Sequence, residues 1–276
     1  MKLLILGLGY TGRVFAKHMR GLGWEVRGTS RTAEAGLIQW PGSDISATLD
    51  WASHILISAA PDENGDPFLA GLERQILAAK PEWLGYLSTT GVYGDHGGAW
   101  VDERTALTPA TTRGVYRVKA EQQWMALFKA RDLPVHIFRL AGIYGPGRGP
   151  FAKVKNGSAR RIIKNNQVFS RIHVEDIAQT LAASIARPNP GQIYNVCDND
   201  PAPPQDVIGH AAALLGLPLP PALDFEEADL TPMARSFYAE SKKVSNARIK
   251  EELGVHLLYP DYKNGLAALL AQERAE

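Results

Sequence analysis

The first residues able to do chemistry stand at the start of the chain. Gly7-Leu8-Gly9-Tyr10-Thr11-Gly12 has the spacing G-x-G-x-x-G. It follows a short apolar run, Lys2–Leu6, and opens a helical stretch from Gly12 to Leu22 in which Val14, Phe15, His18, Met19 and Leu22 fall near one face. In that context Gly7 permits the tight turn, Gly9 lets the backbone approach a diphosphate, and Gly12 lets the helix pack closely on the strand. The amides at the helix start, with Tyr10 and Thr11 among their residues, then face the anion. The spacing and its setting predict a dinucleotide-binding turn.

The tip of the second predicted strand, Glu25–Thr29, chooses between two dinucleotides. An acid there binds the ribose 2′-hydroxyl of NAD. Here the residues are Gly28-Thr29-Ser30-Arg31, and Glu25 lies too early. Arg31 offers a fixed fork of donors for a 2′-phosphate, and Thr29 and Ser30 add hydroxyls. NADP is therefore expected in preference to NAD. Ser58-Ala59-Ala60, at the end of a further apolar strand (54–59), leaves room for the same cofactor.

These groups need a scaffold, and the periodicity supplies one. Strands are predicted at 84–88 and 135–140, with helices at 66–79 and 113–130 between and before them. Asp66-Pro67 reads as an N-cap and first-turn pair, and Gly23 closes the first helix. The alternation predicts an α/β fold, a Rossmann-type doubly wound parallel sheet. Beyond Gly142 come a Gly/Pro-rich loop (143–149), a strand at 171–174, a helix at 175–186, a strand at 192–196, and amphipathic helices near 242–252 and 262–271. We expect a dinucleotide-binding domain over 1–149, with 170–197 returning to the sheet, and a small substrate-binding lobe over 150–276.

Composition narrows the function. Of 276 residues 45% are hydrophobic, and the net charge is +1, which gives nucleic acid no electrostatic footprint. No apolar stretch is long enough to span a membrane, and the apolar start at Leu3–Leu6 stops at Gly7, short of a signal peptide. The single cysteine, Cys197, excludes an internal disulfide, which suits a reducing cytoplasm. The seven histidines form no metal-ligand cluster, so no metal is expected.

Further segments carry a resemblance. Ser88-Thr89-Thr90-Gly91-Val92-Tyr93-Gly94, Arg139-Leu140-Ala141-Gly142-Ile143-Tyr144-Gly145-Pro146-Gly147-Arg148, Ile172-His173-Val174-Glu175-Asp176-Ile177-Ala178 and Tyr194-Asn195-Val196 stand in the order found in extended short-chain dehydrogenases/reductases, the NAD-dependent epimerase/dehydratase-like family. The GLGYTG turn resembles an atypical bacterial branch of it. The resemblance implies an NAD(P)-dependent oxidoreductase or epimerase acting on a small molecule, a nucleotide sugar or another carbonyl or hydroxyl compound. It is also compatible with a homodimer. It assigns Thr89 to the family's Ser/Thr, Lys119 to its lysine on the nicotinamide ribose, and Thr90, Tyr144 and Arg148 to the substrate side.

The family's tyrosine sits four residues before its lysine. Here that position is Val115, and Tyr116 is three residues before Lys119. A step of four residues keeps both side chains on one helix face, whereas a step of three turns the tyrosine by roughly 100°. Two readings follow. In the first, Thr89, Tyr116 and Lys119 carry an altered acid–base arrangement in an NADP-dependent enzyme. In the second, the chain is a non-catalytic NADP-binding sensor or scaffold.

Overall fold

The computed structural model describes residues 1–275. It contains β1 (Lys2–Leu6), α1 (Tyr10–Gly21), β2 (Glu25–Ser30), β3 (Ile38–Gln39), α2 (Ser46–Trp51), β4 (His54–Ile57), α3 (Pro67–Ala79) and β5 (Trp83–Thr89). A 3₁₀ turn at Thr90–Tyr93 leads to β6 (Trp100–Val101), α4 (Thr112–Arg131), β7 (Val135–Leu140) and β8 (Gly142–Tyr144). Next come α5 (Phe151–Lys155), β9 (Arg161–Ile163), β10 (Arg171–His173), α6 (Val174–Ala186) and β11 (Ile193–Val196). The chain closes with α7 (Pro204–Leu215), β12 (Ala222–Asp224), α8 (Pro232–Phe237), β13 (Lys243–Val244), α9 (Ala247–Glu251) and α10 (Tyr262–Ala275).

Seven strands make one sheet in the order β11-β7-β5-β4-β1-β2-β3, and every pairing is parallel. This is the doubly wound α/β architecture expected from the alternation. The order reverses between β1 and β4, the point at which such sheets open a crevice beyond their carboxyl ends. The turn at 7–12 leaves β1 at that crevice.

Strand alternation divides the apolar residues between two faces. Leu3 and Ile5 join the core that holds Phe15 and Met19 of α1 and Ile177 and Leu181 of α6. Leu4 and Leu6 join the core that holds Leu49 of α2, Phe68 and Ile76 of α3 and Trp124 of α4. A strand covered on both sides must be apolar at every position, and β1 is apolar from Leu3 to Leu6. A third core packs α5, α7 and α10 together through Phe151, Val207, Ala211 and Leu266.

The helix boundaries follow from their caps. Asp66 accepts from the amides of Phe68 at 2.9 Å and Leu69 at 3.1 Å, with Pro67 in the first turn. Thr111 caps α4 by accepting from Gly114 N–H at 3.1 Å. Gly23, with φ +81°, takes the left-handed position after α1.

Some expectations are corrected. The strand at 54–59 ends at Ile57. The strand at 171–174 ends at His173 and pairs with β8 in a separate two-stranded sheet. The helix near 242–252 is instead β13 followed by a helix of five residues, because Lys243 and Val244 pair with β6. Pro204 opens α7 at its first turn.

Candidate functional site

The glycine turn is built as its spacing requires. Gly7 has φ +88°, and a side chain there would lie 3.2 Å from the Ala59 backbone nitrogen. The turn and the segment after β4 are therefore in contact. Its amide donates to Thr29 Oγ1 at 3.0 Å, and the Leu8 amide to the Thr29 carbonyl at 2.8 Å. Thr29 thus fastens the turn to the tip of β2. It is buried, so it does not stand at the surface as a donor for a 2′-phosphate. At Gly12 a side chain would press on Ile5 and Leu8, at 3.2 and 3.4 Å. Gly9 differs from both, since nothing lies within 4 Å of where its Cβ would be.

α1 begins there without a side-chain cap and without an acid in its first turn. Its first helical bond runs from the Arg13 amide to the Gly9 carbonyl at 2.9 Å, so the amides of Tyr10, Thr11 and Gly12 precede the ladder. Three amides that precede the ladder at a 12-residue helix start, beside the open position at Gly9, fit a diphosphate.

Near the tip of β2 the structure adds residues that the sequence reading missed. Arg31 is exposed. Arg13 of α1 donates to both carboxylate oxygens of Glu34, at 2.7 and 2.6 Å. An acid therefore does stand in the segment after β2, four residues past Ser30, held by a second arginine.

Tyr10 reaches across the molecule. Its hydroxyl donates to the Pro146 carbonyl at 3.0 Å, and the Arg148 guanidinium lies 5.6 Å from its ring centroid. Gly145 and Arg148 bond each other reciprocally at 2.9 Å, forming a tight turn. A side chain at Gly145 would meet the Tyr10 hydroxyl at 2.5 Å. Burial raises the Tyr10 phenol, which Arg148 partly offsets.

The proposed acid–base residues sit around α4. Thr89 accepts from the Gly91 amide at 3.2 Å and so starts the 3₁₀ turn; Thr90 follows it, half-buried. Lys119 Nζ donates to the Glu63 carbonyl at 3.5 Å, in the loop after β4. Val115, one helical turn earlier, is 51% exposed. Tyr116 is half-buried, and its hydroxyl has no hydrogen bond among the described residues. Ser58, Ala59 and Ala60 lie beside the glycine turn through the Gly7–Ala59 contact. Tyr144 is buried instead in the third core, donating to the Asp261 carbonyl at 3.4 Å, and burial raises its phenol.

Beneath these residues runs a buried polar chain. Ser88 donates to Glu121 Oε1 at 2.5 Å. Arg139 donates to both Glu121 oxygens, through Nε at 3.1 Å and Nη2 at 2.7 Å. Arg139 Nη1 also donates to the Tyr93 hydroxyl at 2.9 Å, which donates on to Asn195 Oδ1 at 2.7 Å. The ion pair is almost fully enclosed, with side-chain exposures of 3% and 4%. Burial pushes Tyr93 up to about 12. The chain fixes α4 against β5, β7 and β11, and with it the positions of Val115 and Lys119. Asp176, in the histidine-containing segment, accepts from the amides of Leu258 and Tyr259 at 2.7 and 3.0 Å.

Known proteins match at three levels. Residues 73–197 match the model of the NAD dependent epimerase/dehydratase family. Protein YeeZ of Escherichia coli strain K12 is 28% identical over 288 residues, covering 94% of this chain and 97% of YeeZ. The structure of a functionally unknown conserved protein from Silicibacter pomeroyi DSS superposes with a TM-score of 0.92 at 60% identity, covering 99% of both chains. dTDP-glucose 4,6-dehydratase from Bacillus anthracis, solved in complex with NAD, superposes with a TM-score of 0.80 at 19% identity, over 100% of this chain and 97% of that one, and so shares the fold.

Proposed function

We propose, from the premise that this chain belongs through residues 73–197 to the NAD dependent epimerase/dehydratase family, that it is an NADP-dependent oxidoreductase or epimerase with a displaced acid–base group. The observation that carries this reading is the open space over Gly9 at the uncapped start of α1, beside the close Gly7–Ala59 contact. The amides of Tyr10, Thr11 and Gly12 hold the diphosphate, and Ser58, Ala59 and Ala60 leave it room. Arg31 holds the 2′-phosphate, joined by Arg13 once Glu34 releases it. Lys119 holds the nicotinamide ribose. When bound, the nicotinamide supplies a hydride donor or acceptor. Thr89 and Thr90 orient a substrate hydroxyl or carbonyl, in a nucleotide sugar or a comparable small molecule. Val115 cannot exchange a proton, so that task passes to Tyr116, whose phenol is uncommitted.

Calorimetric titration with NADPH and NADH, followed by turnover with a panel of nucleotide sugars and simpler carbonyl compounds, tests the proposal. Binding of NADPH together with turnover that Tyr116→Phe abolishes supports it. Failure of both nucleotides to saturate the protein overturns it.

The exposed Val115 supports a second reading, a non-catalytic sensor or scaffold that binds NADP. An aliphatic side chain there removes the family's proton relay and leaves dinucleotide binding untouched. Tight NADPH binding without turnover, accompanied by nucleotide-dependent association with another protein, selects this reading.

A further inference from the structure

We propose that the half-open cavity bordered by the β8–α5 loop, β10, α7 and α10 binds a small organic carboxylate with an apolar body. The cavity measures about 180 Å³. Ile143, Val207, Tyr262 and Leu266 give it apolar walls, and Arg148 and Arg171 are its two cations. Its lining includes no residue of the glycine turn, so the site does not depend on the cofactor reading.

Among the described residues Arg171 makes no ion pair. Its Nη1 donates to the carbonyls of Phe169 at 2.8 Å and Ala202 at 3.0 Å, and among the described residues no carboxylate is within ion-pair distance of it. Burial pulls its pKa down. Asp198 is the acid closest in influence, with its amide donating to the Arg171 carbonyl at 2.7 Å. Yet the Asp198 carboxyl is buried, its Oδ2 has no partner, and burial pushes it up to about 8. That burial disfavours its charged form, and it makes no ion pair with Arg171 among the described residues. A half-buried cation that only backbone carbonyls hold gains from an incoming anion. Arg148 is exposed and, with its guanidinium over the Tyr10 ring, also makes no ion pair among the described residues. Two planar forks bordering one cavity suit a carboxylate.

The size sets the rest of the ligand. A cavity of about 150 Å³ holds one benzene molecule. The present cavity therefore has room for an acid of benzoate size. Such a carboxylate has two sources, the acidic end of the chain's own substrate or a separate effector.

Calorimetry with benzoate, neutral benzamide and inorganic phosphate tests the site. Benzoate is expected to saturate it, with benzamide weaker by about tenfold or more. Arg148→Ala, at an exposed position, is expected to weaken benzoate about tenfold. Leu266→Trp fills the cavity and is expected to abolish binding, with a urea unfolding curve checking that the variant folds. Absence of saturation by benzoate, equal binding of benzamide, or unchanged affinity in the Arg148 variant overturns the proposal. With NADPH bound, a change in nicotinamide fluorescence on adding benzoate assigns the carboxylate to the substrate. Undisturbed fluorescence with full benzoate binding assigns it to an effector. If benzoate binds and NADPH does not, the cofactor reading fails and this site stands.

Discussion

Tyr10 and Arg148, 138 positions apart in the sequence, meet with the guanidinium 5.6 Å from the ring centroid while the Tyr10 hydroxyl holds the Pro146 carbonyl at 3.0 Å. One residue of the glycine turn thereby anchors the loop that borders the apolar cavity. A single exposed cation–π contact contributes about 0.5–1 kcal/mol, enough to bias a short loop. Tyr10→Ala is expected to speed hydrogen exchange at the amides of Gly145 and Arg148, which bond each other's carbonyls. NADPH is expected to slow that exchange in the parent protein and to lose this effect in the variant. Equal exchange in both proteins, with and without nucleotide, rules the coupling out.

Arg31→Ala is expected to weaken NADPH by about tenfold, the size of one charge-assisted contact, and to leave NADH unchanged. Glu34→Gln frees Arg13 from its carboxylate and is expected to strengthen NADPH relative to NADH. Parallel titrations of both nucleotides read the two effects. A loss shared equally by NADH places Arg31 away from the 2′-phosphate.

Val115→Tyr restores a phenol four residues before Lys119. General acid–base catalysis contributes about 10²-fold or more, so turnover should rise by that order where the parent has measurable activity. NADPH affinity should stay unchanged, because the Val115 side chain is exposed and takes part in none of the hydrogen bonds that build the glycine turn. An inactive variant with normal nucleotide binding favours the sensor.

Arg139→Met leaves the Glu121 carboxylate enclosed without its partner. The expected loss is about 3–5 kcal/mol of unfolding free energy, measured in urea. Adding Glu121→Leu to the same chain should recover most of that loss, since an apolar pair replaces an enclosed ion pair at little net cost. Failure of the second change to recover stability shows that the ion pair supports more than its own charges.

Four buried groups contribute to the pH dependence through large shifts. Burial holds His136 and His173 down at about 4, so between about 4 and their unfolded value near 6.5 the unfolded chain binds more protons and stability rises with pH. Asp176 at about 6 and Asp198 at about 8 are raised, so in the folded state they keep protons that the unfolded chain releases above about 4. Their contribution falls as pH rises. The two effects oppose each other at acidic pH. From about 6.5 to 8 Asp198 acts alone among the four, and stability should decline by up to about 1.4 kcal/mol per pH unit. Asp198→Asn should flatten this decline in urea curves taken across that range. A flat profile in the parent contradicts the raised carboxyl.

The parallel sheet and the glycine turn were legible because both rest on local patterns. β1 is apolar at every residue from Leu3 to Leu6, and the three glycines stand between that strand and a helix, the setting the turn needs. The enclosed polar chain was not legible. Ser88 and Glu121 are 33 residues apart, and Tyr93 and Asn195 are 102 apart. A clue did exist, because Arg139 stands in the otherwise apolar end of β7 and a charge within a covered strand must find a partner. Arg13 and Glu34 escaped notice because no periodicity links a helix residue to an irregular loop. The helix expected near 242–252 failed where pairing with β6 outweighed amphipathic spacing, a tertiary effect that no local window contains.

The grip on Glu121 also works as an index pin. A strand hydroxyl and a guanidinium hold its carboxylate, so α4 can neither spin about its axis nor slip by one residue. Such a slip would bring Tyr116 into the place of Val115 and carry Glu121 away from Arg139. Insertion or deletion in the loop before α4 is therefore a closed route for recovering the phenol. Exchange of the residue at 115 itself is the open one, and it asks for no compensating shift elsewhere in the backbone.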